Sequence, residues 1–154
     1  EEVVKELSLQ KAADVAARCM EGTIVIGADT VVAAGGRILG KPGSHEEAER
    51  MIALLAGKTH QVYTGVTLIV CGREGGIRKT FAEKTDVYVY PMTEEEIHAY
   101  AYSEEPMDKA GAYGIQGKFA SYIKGIDGDY NNVVGLPVGR VYQEIKGLCS
   151  SLNA

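Results

Sequence analysis

The sequence predicts an α/β protein whose mixed sheet is flanked by helices. Two long apolar segments of alternating pattern, 58–71 and 77–90, are separated by the glycine-rich stretch 72–76 and predict a hairpin. Segments with helical spacing of apolar residues precede, interrupt and follow these strands. Because strands and helices alternate only in part, a mixed sheet fits the pattern better than an all-parallel sheet.

Composition restricts the class of protein. The 154 residues, 45% hydrophobic and 24% charged, predict one globular domain over 1–154. The net charge of −5 disfavours general nucleic-acid binding but allows a single nucleotide as partner. No apolar run approaches the roughly 20 residues that cross a bilayer, so no membrane partner is expected. The three cysteines form no Cys-x-x-Cys pair, and this odd count favours a reducing, cytoplasmic location.

Apolar spacing and capping signals predict four helices. They are expected over 2–20, 45–55, 94–103 and 138–148. Ser44 and Thr93 each begin a capping box, and Pro137 suits the start of the last helix. In the first helix the apolar positions Val3, Leu7, Ala12/Ala13, Val15/Ala16 and Cys19/Met20 recur near helical spacing, and in the second Ala48, Met51, Ile52 and Leu55 share one face.

The segment 23–42 is the main candidate for chemistry. A β-branched run at 23–26 predicts a strand buried on both faces, with Asp29 just after its end. Gly35-Gly36 predicts a hairpin turn that brings Lys41 back towards Asp29, where the two could hold a metal ion and a phosphate. Asp29 could instead cap a turn and Lys41 could be a solvated lysine. For these residues alone, that interpretation is favoured.

Several other residues have two interpretations each. The segment 108–117 is rich in glycine and could bring backbone amides to an anion, or it could be an ordinary surface turn. Glu83 either protects an edge strand or points into a site. His60 either lies near a site or is bonded to backbone, whereas His45 and His98 are expected at the surface. A short strand is expected over 119–123, followed by a loop over 125–135.

Seven separated motifs occur in the order and spacing of one family. They are KA at 11–12, GADTVV at 27–32, GKP at 40–42, GKTHQVYTGV at 57–66, EKTDV at 83–87, DKAGAYGIQG at 108–117 and GDYNNVVGLP at 128–137. Each motif is weak alone, but together they cover essentially the whole chain. The sequence resembles the Maf-like nucleotide pyrophosphatases, also called septum formation inhibitor proteins.

The resemblance implies a two-lobed fold similar to the inosine triphosphate pyrophosphatases, with the active site in a cleft between the lobes. It implies a hydrolase that splits a nucleoside triphosphate between the α and β phosphates and needs Mg²⁺ or Mn²⁺. Asp29 matches the family's proton acceptor and a metal ligand, and Glu83 and Asp108 are further acids assigned to the metal. Lys11, Lys41 and Lys109 would neutralise the triphosphate.

The resemblance also bears on the substrate. Family members that act on dTTP and UTP have a threonine after the catalytic acid and a glutamine before the last glycine of the glycine-rich loop. This chain resembles them, with Thr30 and Gln116 at these two positions. A neutral glutamine can donate to and accept from a uracil-type ring, whereas members acting on 7-methyl-GTP have a glutamate there. The favoured function is therefore dTTP/UTP pyrophosphatase. The alternatives are a 7-methyl-GTP enzyme and a nucleotide-binding or regulatory protein linked to septum formation.

One part of the family pattern is not matched. Family members begin with a strand and a Ser-x-Ser-Pro-Arg-Arg-type loop, whereas this sequence begins at the helix that should follow them. We therefore expect a single Maf-like domain over 1–154 without that strand and loop. The resemblance also implies a homodimer.

Overall fold

The computed structural model describes residues 1–153. Five α-helices and five strands lie within these residues: α1 Glu2–Ala16, β1 Ile24–Ala34, β2 Arg37–Leu39, α2 His45–Leu55, β3 Thr59–Val70, β4 Ile77–Val89, α3 Glu94–Ala101, β5 Ile123–Asp127, α4 Tyr130–Val134 and α5 Val138–Leu152. Short 3₁₀ turns lie between α3 and β5. None of the described helices has the length and apolar character needed to cross a membrane.

The five strands form one sheet in the order β2-β1-β3-β4-β5. β1 and β2 pair antiparallel with Val32 opposite Leu39, and the turn uses Gly35 and Gly36 at φ 55° and 75°. Two consecutive positive φ values are what a tight hairpin turn requires. β4 and β5 also pair antiparallel, with a bulge between Tyr88 and Val89. The α/β class is confirmed, and an all-parallel sheet is excluded.

The chain divides into two compact units, as the two-lobed prediction requires. The first unit contains Glu1–Thr30, Thr64–Glu83 and the chain from Gly135 onward. The second unit contains Val31–Tyr63 and Lys84–Val134. Three strands, β1, β3 and β4, contribute residues to both units.

Two small apolar clusters form the core of the first unit. One contains Val66, Leu68, Phe81 and Val141, and the other contains Ala12, Val25, Ile69 and Cys71. The predicted apolar stripe of α1 is buried only in part: Ala12 is buried and Ala16 and Cys19 pack beside it, whereas Val3, Val15 and Met20 are 45%, 48% and 82% exposed. Its buried residues are Val4, Ser8 and Ala12. The helix also ends at Ala16, before the predicted end at residue 20.

Glycines on the neighbouring strands explain which face of α1 is buried. A Cβ atom at Gly65 would lie 2.1 Å from the Val4 carbonyl oxygen, and one at Gly27 would lie 2.5 Å from the Ser8 carbonyl oxygen. The backbone of α1 therefore rests directly on β1 and β3. The buried row Val4, Ser8 and Ala12 is the one that contacts these glycines, and Val3 and Val15 lie outside it.

The second unit has one large core cluster. Its buried members are Val32, Ala34, Leu39, Ala48, Met51, Ile52, Leu55, Val62, Val87, Val89, Tyr100, Ala101, Ala112, Tyr113, Ile115 and Phe119. The predicted buried face of α2 is confirmed in full. Ser44 accepts a hydrogen bond from the Glu47 amide, and Thr93 forms a complete capping box with Glu96. These caps satisfy amides that would otherwise lack partners at the helix starts.

Three local predictions are wrong. The run 23–26 is not buried on both faces, because Ile24 and Ile26 are 38% and 46% exposed. The short strand predicted over 119–123 is a 3₁₀ turn, Lys118–Tyr122, and the strand β5 follows it instead. The predicted loop over 125–135 contains the end of β5 and helix α4.

Candidate active site

Asp29 lies inside β1 and not at the end of a strand, which corrects the sequence prediction. β1 continues through it to Ala34, although Gly27 and Asp29 both have low strand propensity. Pairing within the sheet outweighs this local preference, since β1 lies between β2 and β3. The Asp29 side chain is 19% exposed, so its carboxylate is held largely within the protein surface.

Lys11 contacts this carboxylate directly. Its Nζ donates to Asp29 Oδ1 and also reaches the Ala28 carbonyl oxygen at 3.4 Å. The contact follows from the close packing of α1 on β1. Lys11 is next in sequence to Ala12, which belongs to the buried row of the helix, so Lys11 lies at the edge of that contact. Lys11 is therefore an ion-pair partner of Asp29. It fixes the position of the carboxylate and neutralises its charge, while its own side chain remains 56% exposed.

Thr30 has a fixed hydroxyl group. Its Oγ1 lies 2.8 Å from Thr64 Oγ1 and donates to the Gly135 carbonyl oxygen at 3.4 Å. All three residues belong to the first unit. A threonine with two such partners presents its methyl group and its remaining lone pair in one orientation.

Glu83 is paired with Arg140. Its Oε2 accepts from Arg140 Nη1 at 2.8 Å, and the same nitrogen donates to the Ala82 carbonyl oxygen at 3.0 Å. The hydrogen bond with Glu83 raises the pKa of Arg140. The guanidinium also lies 4.5 Å from the centre of the Phe81 ring. Sequence analysis missed Arg140, because its partners Glu83 and Ala82 come from β4, far away in sequence, and no local motif marks it.

In the second unit, Asp108 and Lys109 form an exposed pair. Lys109 Nζ donates to Asp108 Oδ1 at 2.9 Å, and this hydrogen bond holds the pKa of Asp108 below its usual value. The charge of Lys41 contributes a smaller lowering of the same pKa. Both lysines are exposed. The second unit thus places Lys41 and Lys109 beside one carboxylate, forming a local concentration of positive charge that could bind phosphate.

The glycine-rich segment 108–117 is not an ordinary surface turn. Gly111 adopts φ 72°, and a Cβ there would meet the Val32 side chain at 2.9 Å. The Gly111 amide donates to the Gly40 carbonyl oxygen at 3.1 Å, which ties this segment to the one carrying Lys41. Gln116 is exposed near the end of the segment, whereas Tyr113, which lies between Gly111 and Gln116, is buried.

His60 is buried and bonded to a side chain, not to backbone. It has no exposed surface, and its Nε2 lies 2.6 Å from the Tyr113 hydroxyl oxygen. Burial lowers the pKa of His60 to about 4, so the ring is neutral at physiological pH. His98 is exposed as predicted, but His45 is only half-exposed, with its Nδ1 2.9 Å from the Ala101 carbonyl oxygen.

The acids fit a hard cation only if the substrate supplies part of its coordination. Among residues 1–153, no three histidine, cysteine or acidic side chains cluster closely enough to hold a metal ion. Asp29 and Glu83 lie in the first unit and Asp108 in the second. Mg²⁺ is commonly held by one or two carboxylates together with substrate phosphates, and the oxygen atoms of Asp29 suit that mode. The roles of Glu83 and Asp108 at the metal stay predictions.

The family model described as Maf-like protein matches residues 1–148. The match covers nearly the whole chain, and the chain belongs to the Maf-like family.

Relatives with assigned activities are similar over most of their length. A dTTP/UTP pyrophosphatase of Agathobacter rectalis is 55% identical, over 95% of this chain and 78% of its own. A dTTP/UTP pyrophosphatase of Lachnoclostridium phytofermentans is 51% identical, over 95% of this chain and 75% of its own. A third relative with that name, from Carboxydothermus hydrogenoformans, is 53% identical, over 94% of this chain and 76% of its own.

Proposed function

We propose that this protein hydrolyses dTTP and UTP, and modified forms of them, to the nucleoside monophosphate and pyrophosphate. The observation that carries the proposal is the Asp29 carboxylate, held by Lys11 within β1, in a chain whose relatives are named dTTP/UTP pyrophosphatases. A domain that only bound nucleotides would have no need of a positioned base. The retained pair of Thr30 and Gln116 supports a pyrimidine substrate over 7-methyl-GTP.

The proposed reaction is attack by water on the α-phosphorus. Asp29 accepts the proton as the water oxygen bonds to phosphorus, and the bond from the α-phosphorus to the oxygen bridging the β-phosphorus breaks. Pyrophosphate leaves with that bridging oxygen. Lys11 holds Asp29 in place, and its exposed ammonium is also available to a substrate phosphate.

The remaining assignments concern substrate binding. Lys41 and Lys109 would neutralise the phosphate chain, and Gln116 would form hydrogen bonds with the edge of the base. A bound Mg²⁺ or Mn²⁺, held through Asp29, would withdraw charge from the phosphates and lower the pKa of water. Glu83 is a further candidate ligand, and one of its oxygens accepts from Arg140 as one oxygen of Asp29 accepts from Lys11. The homodimer and the cytoplasmic location implied earlier stay predictions.

A substrate panel tests this proposal. Pyrophosphate release would be measured from dTTP, UTP, CTP, dATP, GTP and 7-methyl-GTP, with Mg²⁺ and then with EDTA. We expect metal-dependent release of pyrophosphate from dTTP and UTP at rates well above those with the purine nucleotides.

The position of attack is tested with dTTP in ¹⁸O-labelled water, where the label should enter the monophosphate. Label found only in pyrophosphate would place the attack at the β-phosphorus and contradict the proposed reaction.

The base preference can be tested separately by Gln116→Glu. A glutamate cannot donate to a uracil carbonyl, so we expect the ratio of kcat/KM for UTP over 7-methyl-GTP to fall by roughly tenfold or more. Gln143→Glu, the same change on an exposed position of α5, is the control. An unchanged ratio in Gln116→Glu would remove Gln116 from base recognition without touching the role of Asp29.

A further inference from the structure

A groove of about 450 Å³ lies in the first unit, where α1 ends. Its walls include Cys19, Cys71, Arg73 and Arg78, and the small side chains at the end of α1 form much of the remainder. Neither Asp29 nor Lys11 lines it, so it is separate from the candidate active site. The proposed function gives no role to the two cysteines in this groove.

The two sulfur atoms converge on the same turn of α1. Cys19 Sγ donates to the Val15 carbonyl oxygen at 3.2 Å, and Cys71 Sγ donates to the Ala16 carbonyl oxygen at 3.8 Å. The side chains also pack in the same apolar cluster. These carbonyls are consecutive along the helix, so the two thiols are neighbours in space although 52 positions separate them in sequence.

The backbone holds this arrangement in register. The Gly22 amide donates to the Cys71 carbonyl oxygen at 2.7 Å, and the Cys71 amide donates to the Thr23 carbonyl oxygen at 2.8 Å. Cys19 lies only three positions before Gly22, and its own amide is bonded to the Ala16 carbonyl oxygen. Both cysteines are therefore attached to hydrogen-bonded backbone and not to free loops.

The two thiols differ in access. Cys19 is half-buried on the groove wall, whereas Cys71 is 9% exposed. Burial, reinforced by the neighbouring Cys19, raises the pKa of the Cys71 thiol. A reagent entering the groove therefore meets Cys19 first, and Cys71 is placed to react second.

We propose that Cys19 and Cys71 are a modification site that forms a reversible disulfide by exchange with a small, carboxylate-bearing disulfide. Arg73 and Arg78 line the groove together with Glu21, which lies 3.8 Å from Arg73, so the lining keeps one net positive charge that favours an anionic reagent. The Cys19 thiolate attacks one sulfur of the reagent, whose S–S bond breaks and releases one thiolate. Cys71, as its thiolate, then attacks Cys19 Sγ and releases the second thiolate. The protein loses two thiol protons and is oxidised by two electrons, and the reagent is reduced to two thiols.

The test exposes the reduced protein to glutathione disulfide and maps the products by mass spectrometry. We expect a chain lighter by two hydrogen atoms, a Cys19–Cys71 linked peptide, and Cys149 unlinked as the internal control. Oxidation should raise the melting temperature by roughly 5–10 °C, because the bond closes a loop of about 50 residues. Dithiothreitol should reverse the change.

Variants make the result decisive. Cys149→Ser should form the bond as the wild type does. Cys71→Ser should stop at one glutathione on Cys19, and Cys19→Ser should leave Cys71 unmodified for much longer. Wild-type protein that accumulates stable glutathione adducts without the internal link would overturn the proposal, as would linkage through Cys149 or between chains. The inference does not depend on the proposed activity, since none of these measurements uses a nucleotide.

Discussion

The two units of the molecule achieve close packing in different ways. In the first unit, α1 lies directly on the backbone of the strands at Gly27 and Gly65, and its interior includes hydrogen-bonded hydroxyls. Ser8 contacts Thr67 at 3.0 Å and Thr67 contacts Thr80 at 2.9 Å. In the second unit, aromatic rings fill one large core, with Phe119 4.6 Å from Tyr113 between ring centres.

This difference matches the roles proposed for the two units. Backbone contact leaves little freedom, so Lys11 and Asp29 are held by a rigid helix and a rigid strand, as a proton acceptor requires. Lys109 and Gln116 instead lie at the exposed ends of a segment whose middle, including Tyr113, is buried. Residues that recognise a substrate can tolerate such a segment, because they act by contact and not by proton transfer.

The largest stability effect is expected in the aromatic core. Phe119→Ala should lower the free energy of unfolding by about 4 kcal/mol, because it leaves a cavity among three tyrosine rings. Urea unfolding of both proteins measures the change. Phe119→Leu, which keeps most of the volume, is the matched control and should lose less than half as much. Equal losses in the two variants would mean that the cavity is not the cause of the lost stability.

A slightly smaller effect is expected where helix and strand touch. Gly65→Ala should lower the free energy of unfolding by about 3 kcal/mol, since its Cβ would lie 2.1 Å from the Val4 carbonyl oxygen. Gly125→Ala, also in a strand but with no atom within 4 Å of the new Cβ, is the control and should change it little. If Gly65→Ala is as stable as that control, α1 does not depend on contact with β3.

The smallest of these effects depends on pH. His60 has a folded-state pKa of about 4, below the ordinary 6.5, so the unfolded chain binds its proton more readily. Its contribution is therefore fully present above pH 6.5 and is lost as the pH falls towards 4. Between pH 7 and pH 5 the loss should be about 2 kcal/mol.

His60→Gln isolates this contribution. The stability difference between wild type and His60→Gln should shrink as the pH falls from 7 to 5. His98→Gln, which changes an exposed histidine, is the matched control. A wild-type advantage that stays constant over this range would show that His60 does not titrate as its burial indicates.

How far the sequence predicted the fold depends on where each residue's partners lie. The buried face of α2 was predicted in full, because Ala48, Met51, Ile52 and Leu55 repeat at helical spacing. The face of α1 was predicted only in part, with Ala12 buried but Val3 and Val15 exposed, because glycines on β1 and β3 determine it, and these are distant in sequence. The strand predicted at 119–123 failed because its apolar residues instead pack the core from a 3₁₀ turn.

The same distinction applies to the candidate site. Family motifs identified Asp29, Lys11 and Thr30, and the structure places these three residues in one unit. Motifs did not indicate that Lys11 binds Asp29 directly, that Arg140 pairs with Glu83, or that Tyr113 contacts His60. Each of these contacts joins residues at least 18 positions apart, so only the folded chain reveals them.

The most direct test of the proposed chemistry is Asp29→Asn, measured by pyrophosphate release from dTTP under saturating Mg²⁺. The amide keeps the size of the side chain but cannot accept the proton, so kcat should fall by roughly 10²–10⁴ while the fold is retained. Asp14→Asn makes the same chemical change on an exposed position of α1 and should keep wild-type kcat. An Asp29→Asn protein that turns over dTTP at the wild-type rate would contradict the role of Asp29 as the proton acceptor.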